Sequence, residues 1–482
     1  MKSVALHNLG CKVNAYEMDF MQQMLQEKGY KIVPFDEAAD IYIVNTCTVT
    51  NIADRKSRQM LHRAKKRNPD AVVVAVGCYV QTGQDTLEKD GAVDLAIGNN
   101  RKKDLVEILE VYLESRQADG PAESEQGERA GAAADREEAA DGMCGAERAD
   151  REEASGRTER DAPQVVIETV DIARAPYEEM TLKTTAEHTR AYIKIQDGCN
   201  QFCSYCIIPY ARGRVRSREE ADILREARGM AQTGYREIVL TGIHISSYGV
   251  DRGGGELVRL LEKLSEIEEI ARIRLGSLEP GIVTGEFASR ISALPKVCPH
   301  FHLSLQSGSD TVLRRMNRRY DTAGYFSAVE RLRECYANPA ITTDVIVGFP
   351  GETEEEFAQT EKFLRRVGFY EMHIFKYSRR QGTRAAAMEG QLTEAEKAVR
   401  SERLMGVERE MSRAYREVFL GKTEEVLFEE LLEKEGKHYW IGHTPRYLKV
   451  AREAEPGENL RNCMIGGRLA SFLSEDVLLI GD

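Results

Sequence analysis

The chain has 482 residues, a hydrophobic fraction of 42% and a net charge of −12. That length exceeds a single core and allows about three domains. No apolar run approaches the ~18 residues of a membrane span, and residues 1–10 lack the charged and apolar regions of a signal peptide. Ten cysteines without a short-scaffold pattern argue against a disulfide framework and for a reducing compartment, the cytoplasm.

Residues 1–113 alternate short β-rich apolar runs with amphipathic helices, which predicts a parallel α/β sheet. Strands are expected at 3–6, 41–45 and 72–76, and helices at 16–28, 53–67 and 103–113. Each of three cysteines lies just beyond a strand: Cys11 after VALHNLG, Cys47 after IYIVNT and Cys78 after VVVAVG. Ligands collect at the carboxyl ends of strands in open parallel sheets, so the three are expected at one edge. Gly10 and Gly77 directly precede two of them and allow close backbone approach. Three converging thiols suit an iron–sulfur cluster with one open iron; the alternative is three small buried core residues. No G-x-G-x-x-G follows the first strand, which disfavours a dinucleotide site. Residues 114–162 hold 15 Asp/Glu against 7 Lys/Arg, a net of −8 that leaves only −4 for the rest of the chain. This stretch lacks strand or helix periodicity and repeats ADREEA at Ala134 and Ala149. It reads as an acidic low-complexity insertion or linker between domains, with Cys144 an incidental thiol.

Directly after a strand at 191–195 comes DGCNQFCSYC, a C-x3-C-x2-C array of Cys199, Cys203 and Cys206. Four thiolates are the common closed ligand set of a cubane cluster, so a trio marks a cluster with one open iron. Such an iron can chelate the amino and carboxylate groups of S-adenosylmethionine, and electron transfer from the cluster then releases a 5′-deoxyadenosyl radical. A zinc site completed by a fourth ligand such as His188 is the alternative. From 189 to about 383 strand and helix alternate six times, with strands expected at 191–195, 237–240, 273–275, 301–305, 343–347 and 372–375. This predicts a partial (β/α)6 barrel whose strand-end edge carries the site. Gly242, Ser277, Glu279, Gln306, Ser307 and Gly348 sit at those ends as candidate cofactor contacts, although singly such residues are often turn chemistry. Ser217 and Glu220 form a capping-box pattern. Arg212, Arg214, Arg216 and Arg218 alternate just downstream of Cys206 and are candidate RNA contacts, because such arrays neutralise phosphates. Further basic groups lie on the 53–67 helix and at Arg314, Arg315, Arg318 and Arg319.

Thr393 and Glu396 cap a long charged helix running to about 419. Beyond it, strands at 426–431, 438–441, 447–451 and 469–473 predict a small β-barrel, a fold often used to bind RNA.

Along nearly its whole length, apart from 114–162, the chain resembles the methylthiotransferases of the radical S-adenosylmethionine superfamily. That family's order of N-terminal cluster domain, radical barrel and C-terminal TRAM barrel fits 1–113, 185–418 and 420–482. LGCKVNAYE around Cys11, NTCTVTNIADRKSRQ around Cys47 and DGCNQFCSYCIIPYARGRVRSR most resemble the threonylcarbamoyladenosine tRNA branch. LTGIHISSYG, SLQSGSDTVLRRM and DVIVGFPGETEEEF agree with it. The resemblance implies a tRNA-modifying enzyme with two 4Fe–4S clusters and S-adenosylmethionine as cofactors. Cys199, Cys203 and Cys206 would bind the radical cluster, with Tyr205 beside the cofactor's adenine. Cys11, Cys47 and Cys78 would bind an auxiliary cluster carrying the sulfur. The product would be a methylthio group at C2 of N6-threonylcarbamoyladenosine next to the anticodon. The implied partners are a tRNA anticodon stem-loop and an electron-donor protein, with no membrane. Alternatives are the same chemistry on isopentenyladenosine tRNA or a ribosomal-protein aspartate, and a non-catalytic iron–sulfur RNA-binding or redox-sensing protein. Two departures from the pattern stand out. Residues 420–482 carry 8 Lys/Arg against 12 Asp/Glu, which weakens the case for an RNA grip there. Lys376 in FKYSRRQGT replaces an expected apolar residue or proline, which puts a site role for that strand end in question.

Overall fold

The computed structural model describes residues 2–118, 165–185 and 189–481. Cys144, both ADREEA repeats and His188 lie outside them. Six parallel strands form the first sheet: β1 (Ser3–Asn8), β2 (Lys31–Val33), β3 (Ile41–Thr46), β4 (Val72–Gly77), β5 (Leu95–Ile97) and β6 (Val166–Glu168), in the order β2-β1-β3-β4-β5-β6. β3 and β4 are buried at every residue, as central strands covered on both faces must be. Alternate side chains supply the two cores. Tyr42, Val44, Val73 and Ala75 pack with Leu61 and Ala64 of helix α2 (Asn51–Arg67). Ile41, Ile43, Val72 and Val74 pack with Met18, Met21 and Leu25 of helix α1 (Lys12–Glu27). Asn8, Asn45 and Val76 lie level across β1, β3 and β4, so the chain leaves all three strands at one edge. β2, β5 and β6 span three residues each, too few to show alternation in sequence. β6 extends the first sheet past the expected boundary at 113, because the chain pairs with β5 again after the acidic stretch.

The central sheet follows, with β7 (Ala191–Asp197), β8 (Arg216–Ser217), β9 (Glu237–Gly242), β10 (Arg272–Leu275), β11 (His300–His302), β12 (Ala340–Val347) and β13 (Glu371–Lys376). β7, β9 and β10 run parallel, as do β11, β12 and β13. The two ribbons join through single bridges, Ile273 to Val297 and Leu278 to Leu303. β8 alone is antiparallel, on β7. Ile193, Leu240, Ile273, Phe301 and Val345 share one core with Leu260, Phe287, Val329 and Leu364 of the surrounding helices. The six expected strands thus form a partial (β/α)6 barrel, and the fold class is α/β.

Capping boxes open the helices Glu354–Val367 and Glu394–Glu417, each worth about 1 kcal/mol. The one expected at Ser217 and Glu220 does not form. Ser217 lies in β8, its hydroxyl donates to Asp251 Oδ1 at 2.5 Å, and the helix Glu220–Gln232 starts after Glu219. The C-terminal barrel closes as β14-β15-β16-β18-β17, from β14 (Thr423–Lys434), β15 (Lys437–His443), β16 (Lys449–Glu453), β17 (Met464–Phe472) and β18 (Val477–Gly481), one strand more than expected. Arg272 and Arg274 of β10 donate to the carbonyls of His443 and Pro445 at 2.9 and 3.0 Å, which fastens the barrel to the central sheet. Among the described residues no helix is long and apolar enough to cross a membrane.

Candidate active site

The first trio is assembled by strand register and close backbone packing. Cys11 is the N-cap of α1, Cys47 follows β3, and Cys78 opens the short helix Cys78–Thr82 after β4. Gly10, at φ +113°, lets the first loop approach the second, since a Cβ there would stand 3.1 Å from Cys47 Cβ. Asn14 Nδ2 donates to the carbonyls of Leu9 and Thr46 at 2.7 and 3.0 Å and ties these loops together. The Ser57 hydroxyl accepts from the Cys47 N–H at 3.3 Å and donates back to its carbonyl at 3.2 Å. Burial pushes the Cys47 thiol up to about 11, with Cys78 and Cys11 adding to the rise.

The second trio is made by one loop. β7 ends at Asp197, and Gly198 (φ +72°) turns the chain so tightly that a Cβ would lie 1.8 Å from the Arg214 carbonyl oxygen. The Cys199 N–H donates to the Gly213 carbonyl at 3.0 Å and the Cys206 N–H to that of Cys203 at 3.0 Å. Arg318 Nη1 donates to Cys203 Sγ at 3.1 Å, and the Gln201 N–H to Cys199 Sγ at 3.5 Å. Burial, then the neighbouring Cys203, pushes the Cys206 thiol up to about 12. Buried thiols of this kind ionise only when a cation or metal meets them. Among the described residues no three His, Cys, Asp or Glu side chains gather tightly enough for one ion. Three thiolates leave one iron of a cubane cluster without a protein ligand, which is the chemistry each trio offers.

The candidate cofactor residues divide. Tyr205 packs edge-on against Phe349, with ring centroids 6.5 Å apart, beside the second trio. Glu279 accepts from Arg318 Nη2 at 2.6 Å and lies 3.6 Å from His244 Nε2. Burial alone would raise its carboxyl, yet His244 and Arg318 hold it below the usual range. Gly242 ends β9 against Gln196, Ser277 is exposed, and Gln306 takes φ +71° with its N–H on the Asp344 carbonyl at 2.9 Å. Ser307 and Gly348 have packing contacts of their own. Ser307 is fully buried with its hydroxyl 3.2 Å from Thr360 Oγ1, and a Cβ on Gly348 would strike Lys397 at 2.4 Å.

The expectation of RNA contact fails for three of the four arginines. Arg212, Arg216 and Arg218 are 1%, 7% and 0% exposed. Arg212 pairs with Glu17 and Asp197, Arg216 with Asn100 and Asp197, and Arg218 with Glu226, so none can reach a phosphate. Only Arg214 stays exposed, with its guanidinium 4.8 Å over the Phe202 ring. Lys376 is exposed, but Arg380 in the same stretch is buried. Arg380 donates to Asn51 Oδ1 at 2.8 Å and Thr48 Oγ1 at 2.7 Å, bracing the segment that follows Cys47. Glu17, Lys194, Asn14, Asp197 and His244 carry the site's polar contacts and were not singled out in sequence. Lys194 did leave a signal, as a lone charge inside the apolar strand AYIKI; it is fully buried.

A model of the radical SAM superfamily matches residues 193–364, and one of the uncharacterized protein family UPF0004 matches residues 3–98. The threonylcarbamoyladenosine tRNA methylthiotransferase MtaB of Bacillus subtilis (strain 168) is 36% identical over 93% of this chain and 90% of its own length. The tRNA-2-methylthio-N(6)-dimethylallyladenosine synthase of Oleidesulfovibrio alaskensis is also 36% identical, over 87% of this chain and 82% of its own. Among solved structures, the radical S-adenosylmethionine methyltransferase TsrM of Kitasatospora setae, with cobalamin and a 4Fe–4S cluster bound, aligns at a TM-score of 0.53. It covers 80% of this chain and 77% of its own at 16% identity, a likeness of fold.

Proposed function

We propose a division of labour that proceeds from one fact: the chain belongs to the radical S-adenosylmethionine methylthiotransferase family. Its activity is that of the threonylcarbamoyladenosine tRNA branch, installing a methylthio group at C2 of N6-threonylcarbamoyladenosine beside the anticodon. Radical SAM membership brings S-adenosylmethionine and a 4Fe–4S cluster, held by Cys199, Cys203 and Cys206. Cys11, Cys47 and Cys78 hold a second cluster. When bound, these groups supply a radical able to take hydrogen from an unactivated C–H bond, and the sulfur that replaces it.

The chain's own residues orient and enclose that chemistry. Tyr205, braced by Phe349, would flank the adenine of the cofactor. Arg318 steadies Cys203 and is itself held by Glu279. Phe202, at φ +50°, meets Tyr210 edge-on with centroids 5.9 Å apart and lies under Arg214, so two rings and a guanidinium form a ladder beside the radical loop. Tyr210 is 52% exposed and borders a cleft of about 760 Å³ that also takes in Arg58, Tyr79, Ile207 and Arg380. The exposed Tyr210 ring and Arg214 guanidinium suit an anticodon-loop base splayed out of its stack, and the exposed Arg55 and Lys56 of α2 suit its phosphates. An electron-donor protein and a cytoplasmic setting follow from the same chemistry.

The observation that carries this reading is the reach of one side chain: Arg212 stands 3.3 Å from Cys78 Sγ and 3.2 Å from Asp197 Oδ2, two residues before Cys199. That reach supports the reading that both trios face one seam. The test is anaerobic reconstitution with reductant, S-adenosylmethionine, sulfide and tRNA. Mass spectrometry of the digested tRNA should show the methylthio-threonylcarbamoyl nucleoside. Methylthiolation of isopentenyladenosine alone would overturn the choice of branch, and absence of 5′-deoxyadenosine would overturn catalysis.

A further inference from the structure

Between α1, β7 and the loop after Cys206 lies a group of charged side chains almost closed to water. Glu17 accepts from Lys194 at 2.8 Å, from Arg212 Nη1 at 2.7 Å and from Lys102. Asp197 pairs with Lys194 at 2.7 Å, Arg212 at 3.2 Å and Arg216 at 3.8 Å. Glu17, Lys102, Lys194 and Arg212 are each at most 1% exposed. Four cations therefore share two carboxylates. Glu178, a further buried carboxylate beside Lys194, accepts from the Lys103 N–H at 2.9 Å and reduces the surplus without closing it. The carbonyls of Pro176 and Arg212 receive Arg216 at 3.1 and 2.7 Å, which eases one cation but adds no charge. Uncompensated buried charge is among the costliest features a fold can hold, and it persists where an opposite charge is supplied.

Arg212 indicates the source of that charge. Its Nη1 and Nη2 are engaged by Glu17, Asp197 and Asn14 Oδ1, the last at 2.7 Å. The remaining nitrogen, Nε, donates to Cys78 Sγ at 3.3 Å, and Asn99 Nδ2 donates to the same sulfur at 3.4 Å. A neutral thiol is a weak acceptor and a thiolate a strong one. Three thiolates on a 4Fe–4S core leave a net negative charge in both its usual oxidation states.

Resting on the reading that this trio holds a cluster, we infer that the Glu17–Arg212–Asp197 network is the built-in counter-charge of the N-terminal cluster. Arg212 is its positioning residue, and the seam between the first two domains closes fully only when that cluster is loaded. The loaded cluster takes up the surplus positive charge; the metal-free chain leaves it unmet in the seam between α1 and the radical loop.

The experiment compares full-length protein, metal-free and anaerobically reconstituted, by hydrogen–deuterium exchange after an iron assay. Loading should slow exchange of peptides covering α1 and residues 208–217 by about tenfold. A parallel set removes the second trio (Cys199→Ala, Cys203→Ala, Cys206→Ala) so that only the N-terminal cluster titrates. In that background Arg212→Gln should lower its reduction potential, followed by electron paramagnetic resonance, and Arg212→Lys should recover part of the shift. Should Arg212→Gln fail to fold, Arg212→Lys and the exchange comparison on the unaltered chain still decide. Protein with about eight irons per chain and unchanged seam exchange would overturn this inference alone. Only about four irons, all lost with the second trio, would overturn the two-cluster reading and this inference with it.

Discussion

Cys199, Cys203 and Cys206 come from one loop of eight residues, whereas Cys11, Cys47 and Cys78 come from three separate strand ends. The first arrangement is fixed by short-range turns: the left-handed Gly198 and backbone bonds from Cys199 and Cys206. The second depends on the register of β1, β3 and β4 and on ties that cross from the other domain, such as Asn99 Nδ2 to the Ala211 carbonyl at 2.8 Å. A contiguous ligand set survives loosening of the fold around it. An assembled set does not, which is why the buried network gathers beside it.

The largest effect that tests this contrast comes from the cysteines. Cys203→Ala should reduce 5′-deoxyadenosine formation by at least about 10³-fold, whereas Cys47→Ala should keep that reaction and lose the methylthio product. Chromatography of the small-molecule and nucleoside products separates the two, and equal loss of both in Cys47→Ala would break the comparison. Next is Gly198→Ala, which forces a Cβ into the Arg214 carbonyl and should cost about 3–4 kcal/mol in chemical denaturation. Its damage should fall on the contiguous trio, with the N-terminal iron retained.

The arginines sharpen the contrast at smaller scale. Arg218→Ala removes the partner of buried Glu226 and should cost about 3 kcal/mol, at the low end for a broken buried pair. Burial pushes the Glu226 carboxyl up, so it can take a proton and blunt the loss. Arg214→Ala should leave stability unchanged and weaken tRNA binding by about tenfold at physiological salt, as filter binding or anisotropy would show. Acid should have the smallest effect. Burial alone would raise the Glu17 carboxyl, but Arg212, Lys102 and Lys194 hold it well below its ordinary 4.5. A carboxyl depressed in the native state contributes stability that is complete above its unfolded value and is lost as pH falls through the native one. Protection of the seam, taken relative to the intrinsic exchange rate at each pH, should therefore be the same at pH 7 and pH 5 and fall only in stronger acid; lost protection already at pH 5 would contradict this placement of Glu17.

The six barrel strands, and the positions of Cys11, Cys47 and Cys78 beyond their strands, were legible because each rests on local pattern: an apolar run ending in turn residues. The fate of Arg212, Arg216 and Arg218 was not, because only the fold brings Glu17, Asp197 and Glu226 against them: Glu17 lies on a helix of the other domain, and the strand and helix carrying Asp197 and Glu226 must pack before either meets its arginine. A basic stretch looks the same whether it meets phosphate or buried glutamate. Ser307 and Gly348 are ambiguous for a related reason. A strand-end Ser or Gly fits a cofactor contact as well as it fits a close approach of the next helix, and only the fold reveals the contacts with Thr360 and Lys397. The three-residue strands β2, β5 and β6 fell below any periodicity, and β6 was further hidden behind the acidic stretch.

The pairing of β6 with β5 also fixes what the intervening polypeptide can affect. The chain departs from the helix Leu105–Ala118 and re-enters the very sheet that helix covers, so both anchor points belong to a single rigid frame. Whatever its length or composition, that excursion begins and ends on the N-terminal sheet. A label or purification handle inserted there should leave the pairing of β5 with β6 in place.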